Sequence, residues 1–368
     1  MNSIHKQKKV YIIDILCRFW QSTTGTGTAG TGHHGIMTEG IFEFEIEEGS
    51  AARGQNHEAA GADGRQGAGA VVTGVLQERR HLVVPPLLGG LPVRRIAPHA
   101  LSGLTQLRTV SFPPSLRSVG AFALHNCPGL EEVSLHDGIT DYYNGVLRQD
   151  VRLQRIRLTI SENNYTVMRD ILSDSDMKLE FLLQYPEGEA HLLFPGYDYA
   201  FAENTMARTI QFSISGSGMV YRECVRRRGI SFREYDRLFP RVIPDDPHAA
   251  VQIAADRLLY PHDLAPVHAQ AYEDFLRANI GDVLLQFVSA LAAEPDGTGA
   301  EETWQRLRLV ADRGMITDDA ADAALRLAAE SGIPQLAGVI LGGRETQASA
   351  ASDGIDKKDD DILSLDDW

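Results

Sequence analysis

Cysteine and histidine are the side chains of this sequence best suited to covalent or metal chemistry, and their spacing allows little of either. Cys17, Cys127 and Cys224 are odd in number, far apart and form no C-x-x-C pair, so neither a disulfide framework nor a zinc knuckle is built from them. His33-His34 is a pair without a third ligand nearby, in a run of Thr, Gly and Ala that has no means of burying surface. Cys224 is the best candidate nucleophile, with His248, His262 or His268 as its base, but no elbow or oxyanion-hole motif accompanies it. Asp198, Glu203, Asp236 and Glu273 offer carboxylates at spacings that fit no metal or acid–base arrangement. Ser215-Gly216-Ser217-Gly218 lacks the lysine of a phosphate loop and reads as a turn between elements. The sequence therefore predicts no catalytic residue, no metal site and no cofactor.

Charge points instead to partners. The chain has 368 residues and a formal net charge of -15, which argues against a nucleic-acid backbone as ligand. Against that background Arg222, Arg226, Arg227, Arg228, Arg233, Arg237 and Arg241 crowd into 20 residues as a basic patch. The complementary feature closes the sequence, where Asp359-Asp360-Asp361 and Asp366-Asp367 surround Ile362, Leu363, Leu365 and Trp368. Acidic residues interleaved with large apolar ones are typical of motifs that order on binding, so Leu363, Leu365 and Trp368 are candidate contact residues. No apolar run approaches the ~20 residues of a membrane helix, and no membrane partner is expected.

The elements that must position these groups are announced by a repeat. Leu107, Leu130 and Leu153 lie 23 residues apart, as do Val110, Val133 and Ile156, and Phe112, Leu135 and Leu158. Ile96, Val119 and Tyr142 keep the interval, and so do Leu101, Leu124 and Leu147. A fixed period of this size marks a solenoid, in which units that cannot bury their own apolar edge stack like residues in columns. Each unit reads L-x-x-V-x-(F/L), a short strand whose intervening residues point outward. That places Thr109, Ser111, Glu132, Ser134, His136, Arg155, Arg157 and Thr159 on one sheet face, the predicted protein-binding surface.

The phrases Leu82-Val83-Val84-Pro85-Pro86, Gly89-Gly90-Leu91-Pro92-Val93-Arg94-Arg95-Ile96 and Ala121-Phe122-Ala123-Leu124-His125-Asn126-Cys127-Pro128-Gly129-Leu130 resemble the leucine-rich repeat of the bacterial BspA-like (type 5) class. The first unit departs by a five-residue insertion, and the third has Asn144-Gly145 in place of Ala-Phe. The resemblance implies a scaffold rather than a reaction.

Around the repeat, Ile41 to Ile46 alternates as a strand, and Val71 to Leu76 resumes one that suits a solenoid cap. Tyr165–Leu172 suits a helix, and Met177–Leu183 a strand paired across a turn with His191–Phe194. From Asp246-Pro247, a cap with proline at the first helical position, the apolar period becomes helical. Ala324–Leu336 resembles half of an ankyrin repeat. The expected fold is α+β, a short leucine-rich repeat solenoid with a parallel β-sheet followed by an α-helical, repeat-like C-terminal domain. Its parts are a disordered extension (1–36), N-terminal strands and a mobile loop (37–80), the solenoid (81–160), a mixed α/β connecting region (161–245), a helical array (246–345) and an acidic disordered tail (346–368). Either Met1 or Met37 suits the start of translation.

A second set of phrases carries its own resemblance. Glu203-Asn204-Thr205-x-Ala207-Arg208, Gly216-Ser217-Gly218 with Tyr221-Arg222-x-Cys224, Tyr235-Asp236-x-x-Phe239 and Arg257-Leu258-x-Tyr260-Pro261 resemble the C-terminal region of intracellular leucine-rich repeat proteins of Gram-positive bacteria. These are found beside a MoxR-type AAA ATPase and a von Willebrand factor A-like protein, and the resemblance implies such partners in the cytoplasm. Met206 stands where that pattern has proline. Two functional readings follow. One is a non-catalytic interaction scaffold serving that ATPase system; the alternative is a cysteine-dependent hydrolase in residues 197–239 with the solenoid selecting substrate. A surface adhesin would need export and anchoring signals that the sequence does not display.

Overall fold

A computed structural model describes residues 36–48, 67–204 and 209–359. The His33-His34 pair, Cys17 and the motif Leu363, Leu365 and Trp368 lie outside them. The folded chain opens with a hairpin, β1 (Met37–Glu39) and β2 (Phe42–Glu47), and then β3 (Gly69–Val75). The solenoid strands follow: β4 (His81–Val83), β5 (Leu87–Leu88), β6 (Leu91–Ile96), β7 (Thr109–Ser111), β8 (Ser118–Val119), β9 (Glu132–His136), β10 (Asp141–Tyr142) and β11 (Arg155–Thr159). Helix α1 (Thr166–Asp174) precedes a second hairpin, β12 (Leu179–Tyr185) and β13 (Gly188–Phe194). A third hairpin, β14 (Asp198–Asn204) and β15 (Thr209–Ser215), leads into α2 (Gly218–Arg222), α3 (Phe232–Arg237) and α4 (Phe239–Asp245). The helical array consists of α5 (Pro247–Leu259), α6 (Pro266–Ala278), α7 (Ile280–Ala293), α8 (Ala300–Asp312), α9 (Asp318–Ser331) and α10 (Pro334–Asp359).

Each solenoid turn contributes one strand to each of two sheets. The six-stranded face runs in the order β13-β12-β11-β9-β7-β4, and the seven-stranded one along β1-β2-β3-β6-β8-β10 with β5 attached to β6. Between β4 and β12 the six-stranded sheet is parallel, in the register Leu82, Val110, Val133, Ile156, Phe181. All five are buried, as are Leu107, Leu130 and Leu153 of the preceding column. The 23-residue period is thus the period of the core.

The backbone repeats too. His99, Phe122 and Gly145 occupy one position of successive turns with φ of 60°, 58° and 75°. Gly103, Asn126 and Gln149 occupy another with φ of 75°, 59° and 69°. Left-handed backbone costs a non-glycine residue roughly 1–2 kcal/mol, so Asn144-Gly145 departs from Ala-Phe at the place where glycine relieves strain. The Phe122 ring packs onto that glycine, and the Asp174 carboxylate accepts its N–H at 2.7 Å. The five-residue insertion in the first unit is the β5–β6 hairpin, turned by Gly89 and Gly90 with φ of 58° and 75°, the signature of a primed two-residue turn.

The solenoid extends beyond residue 160. Strand β12 pairs in parallel with β11, Arg155 opposite Glu180, although the spacing is 25 rather than 23. Helix α1 replaces the second short strand of that turn, which hides the unit from a search at fixed period. Asp137 is fully buried and accepts from the N–H groups of Ser161 (3.0 Å), Glu162 (2.7 Å) and Asn164 (3.3 Å), shaping the loop into α1.

At the other end, Asp246 caps α5 through its side chain, as the sequence predicts, and Thr317 caps α9 in the same way. Helix α10 runs to Asp359, so residues 346–359, expected to belong to an irregular tail, are helical. No single helix among the described residues is long and apolar enough to cross a membrane.

Candidate functional site

The outward rows of the six-stranded sheet are the natural place for recognition, because strand residues alternate between the core and the opposite face. One row reads His81, Thr109, Glu132, Arg155, Glu180 and Leu193; the next reads Val83, Ser111, Ser134, Arg157, Leu182 and His191. Sequence alone puts the candidate residues of both rows at the surface. The structure divides them.

From Glu132 onward the face is roofed by the helical array. Arg155 and Glu132 are only 6% and 9% exposed, so the expectation that they face solvent is corrected. Glu180 takes both Nε and Nη2 of Arg155, at 3.0 and 2.9 Å. Its other oxygen accepts from Arg306 of α8, which also clamps Asp256 of α5 at 2.6 and 2.9 Å. Glu302, one turn before Arg306, accepts from Arg157 at 2.8 Å, and Arg157 reaches back to Glu132 at 2.8 Å. His191 lies beneath Tyr260, ring centroids 3.6 Å apart. Gly299, with φ of 108°, opens α8 where a Cβ would collide with the Arg155 guanidinium.

Four carboxylates (Glu132, Glu180, Asp256, Glu302) here meet three guanidinium groups (Arg155, Arg157, Arg306). Burial raises Glu180, but Arg306 and Arg155 outweigh it and hold its carboxyl at about 2. For Asp256 burial wins over Arg306, and its carboxyl rises to about 6. Burial also keeps His191 neutral, lowering it to about 4. Glu180, His191 and Asp256 bring ligand atoms within 4.8 Å of one another, a distance that would suit a metal. The Arg306 guanidinium already bridges the two carboxylates, so these residues fit a cation poorly. They form a charged seam between solenoid and helices.

The other half of the face stays open. Val83 is 69% exposed, His81 is exposed, and Thr109, Ser111, Ser134, His136 and Thr159 are half-buried. Apart from Val83, short polar side chains and two imidazoles stand here; His81 Nδ1 and Thr109 Oγ1 are 3.0 Å apart. Partial burial lowers the His136 pKa, with Asp137 opposing. Arg157, about half exposed, marks the rim where the open half meets α8, and Thr298 of the preceding loop donates to Glu131 at 3.0 Å. The result is a shallow polar floor with one wall.

The remaining candidates separate. Cys224 is buried, its Sγ 3.9 Å from the Val220 carbonyl, and burial pushes its thiol up to about 12, which removes the activated thiolate that the hydrolase alternative requires. His248 pairs with Gln286, and His262 stacks on Tyr185 at 4.6 Å. Asp236 is held by Arg257 at 2.8 and 3.0 Å and by Tyr272 at 2.8 Å, and Glu273 pairs with Arg277 and Arg313. Asp198 is exposed on β14, and the Glu203 side chain lies outside the description. At the Ser215–Gly218 turn, Asp245 accepts from both the N–H and the Oγ of Ser217 at 2.7 Å, so a carboxylate holds the turn.

Arg222 leaves the predicted basic patch. It is buried and donates to the carbonyls of Pro195 (2.6 Å), Met177 (2.6 Å) and Gly218 (2.9 Å), a clamp between the β12–β13 hairpin and α2. Arg226, Arg227, Arg228, Arg233, Arg237 and Arg241 are exposed as expected. Missed by sequence reasoning are Glu180, Asp256, Glu302 and Arg306; their only signal is charged residues placed on otherwise apolar periods.

A match to a repeat family supports the solenoid. Residues 91–182 match the BspA type leucine rich repeat region in six copies. Among solved structures, a leucine rich repeat protein of T. pallidum is 29% identical with a TM-score of 0.24, the match covering 24% of this chain and 45% of that one. A leucine rich cell surface protein of Faecalibacterium prausnitzii is 16% identical with a TM-score of 0.25, covering 41% and 43% respectively. The chain therefore spans less than half the length of either. No curated protein matches it.

Proposed function

We propose that the chain is a non-catalytic scaffold that captures a protein segment on the open half of its six-stranded sheet, against the wall made by α8. One observation carries this reading: the outward rows are roofed from Glu132 onward yet left uncovered at His81, Val83, Thr109, Ser111 and Ser134. The leucine-rich repeat match supports an interaction role, since repeats of this kind present surface rather than chemistry. With strands ~4.8 Å apart, the open strands span only roughly 10–15 Å, which suits an extended segment or one helix.

The finer reading is a partner system. On the resemblance of the phrases around Tyr221, Tyr235 and Arg257, the partner is a MoxR-type AAA ATPase or a von Willebrand factor A-like protein, and the setting is the cytoplasm. Free, buried Cys127 and Cys224 are consistent with a reducing compartment. The test is affinity capture of the tagged full-length chain from its native cells, beside Thr109→Arg and Ser134→Arg variants. The scaffold reading expects an ATPase or von Willebrand factor A-like protein in the parent capture, lost from both variants while their melting temperature holds. Equal recovery by parent and variants would move the binding surface elsewhere.

A further inference from the structure

The exposed arginines rim a groove that the sheet-face reading does not use. Helices α3 and α4 bury Phe232, Tyr235, Phe239 and Val242 on one side. The residues at i, i+4 and i+8 on the opposite side are Arg233, Arg237 and Arg241, all exposed. Beside them α2 turns Tyr221 into the core, where it packs edge-on against Tyr235 at 4.8 Å, and leaves Val220 and Glu223 at the surface. Between the two lies a groove of about 450 Å³ lined by Val220, Cys224 and Leu238, by Arg226, Arg237 and Arg241, and by Glu223 and Glu234. Arg226 is answered by Glu234 at 3.3 Å. Arg237 and Arg241 have no side-chain hydrogen bond or ion pair among the described residues.

Such a groove asks for a segment with carboxylates for its rim and one large apolar side chain for its floor at Val220 and Leu238. Outside the residues already paired in the fold, the chain offers that chemistry in the nine residues after the last described one, where Asp360-Asp361 and Asp366-Asp367 flank Ile362, Leu363 and Leu365 and precede Trp368. In a chain whose net charge is -15, a rim with two arginines unpaired among the described residues is a favourable place for an acidic segment. We propose that the arginine-rimmed groove on α2, α3 and α4 is the docking site of this chain's own acidic C-terminal segment, with Trp368 or Leu363 seated over Val220 and Leu238. Exposed ion pairs contribute little individually, so the apolar anchor fixes the position and the arginines select the segment. The proposal stands apart from the sheet face and survives if that reading fails.

The test uses the full chain with Trp20→Phe and Trp304→Phe, which leaves Trp368 as its only tryptophan. Acrylamide quenching of Trp368 is compared with that of a free peptide of residues 357–368. Docking protects Trp368 in the full chain, and Arg237→Glu with Arg241→Glu weakens docking roughly tenfold, the worth of two exposed ion pairs, so that quenching approaches the free-peptide value. Asp360→Lys with Asp361→Lys does the same, and the two charge reversals combined restore protection. High salt reduces protection, because exposed pairs are screened. Circular dichroism confirms that every variant remains folded. Trp368 quenched in the parent as in the free peptide, or protection indifferent to both reversals, would overturn the proposal. Binding of an added poly-glutamate chain to a groove beside an unprotected Trp368 would likewise do so, assigning the groove to an outside acidic partner.

Discussion

The two halves of the six-stranded sheet face are built on one register and end in opposite environments. Thr109 and Glu132 are direct neighbours, as are Ser134 and Arg157, yet one half is open and polar while the other is a buried ionic seam. The strands do not differ in kind; what differs is whether helices α5 and α8 lie above them. Charged residues on a strand are therefore poor evidence for a solvated face. Where they are matched by charges one turn apart on a helix, as Glu302 and Arg306 are, they glue layers together. Desolvating such groups is expensive, so the seam fixes the angle of the helical array rather than adding much net stability.

That contrast can be broken most directly at Arg306. Replacing it with Met leaves Glu180 and Asp256 buried without their shared cation, and urea unfolding should show a loss of ~3–5 kcal/mol. A loss under about 1 kcal/mol would mean that water reaches the seam. The core beneath both halves should respond alike: Leu130→Ala and Leu153→Ala each cost ~2–5 kcal/mol, and thermal melts indistinguishable from the parent would refute the register. Gly299→Ala combines an unfavourable φ with a collision against Arg155, for a loss of ~1–3 kcal/mol by the same unfolding assay.

Acidity sharpens the comparison further. Folded His191, lowered to about 4 by burial, stays neutral where the unfolded chain protonates near 6.5, so it costs stability as pH falls through that window. Asp256, raised to about 6, takes up a proton in the folded state first and gains stability as pH falls from about 6 toward the unfolded value. The two oppose each other, so their summed contribution to stability should change little between pH 6.5 and 4.5. Asp256→Asn removes the gain, so its stability should fall by roughly 2–3 kcal/mol more than the parent's across that interval; parallel pH profiles would show that the two groups do not titrate as described. Least affected is the open half, where Ser134→Ala should alter unfolding by less than ~0.5 kcal/mol.

Much of this was legible beforehand. The columns of Leu107, Leu130 and Leu153 give the solenoid because identical burial in every turn writes itself into the sequence at a fixed interval. Asp246-Pro247 and Thr317 announce their helices because caps are local. The turn containing β12 escaped because α1 lengthens it by two residues, and Arg222 looked like surface because clustering of arginines says nothing about which carbonyls surround each one. Cys224 had the identity of a nucleophile but is packed against α2.

The sequence by itself determined the repeat, the direction of each strand residue and the chemistry on offer: no activated nucleophile motif, one arginine cluster and one acidic end. Tertiary structure alone decided which half of a uniform face is covered, since that depends on where helices some 75 to 175 residues further along the chain come to lie. Periodicity encodes contacts between neighbouring turns. The meeting of Arg155 with Glu302, or of Glu180 with Arg306, has no period and becomes visible only when the layers are packed.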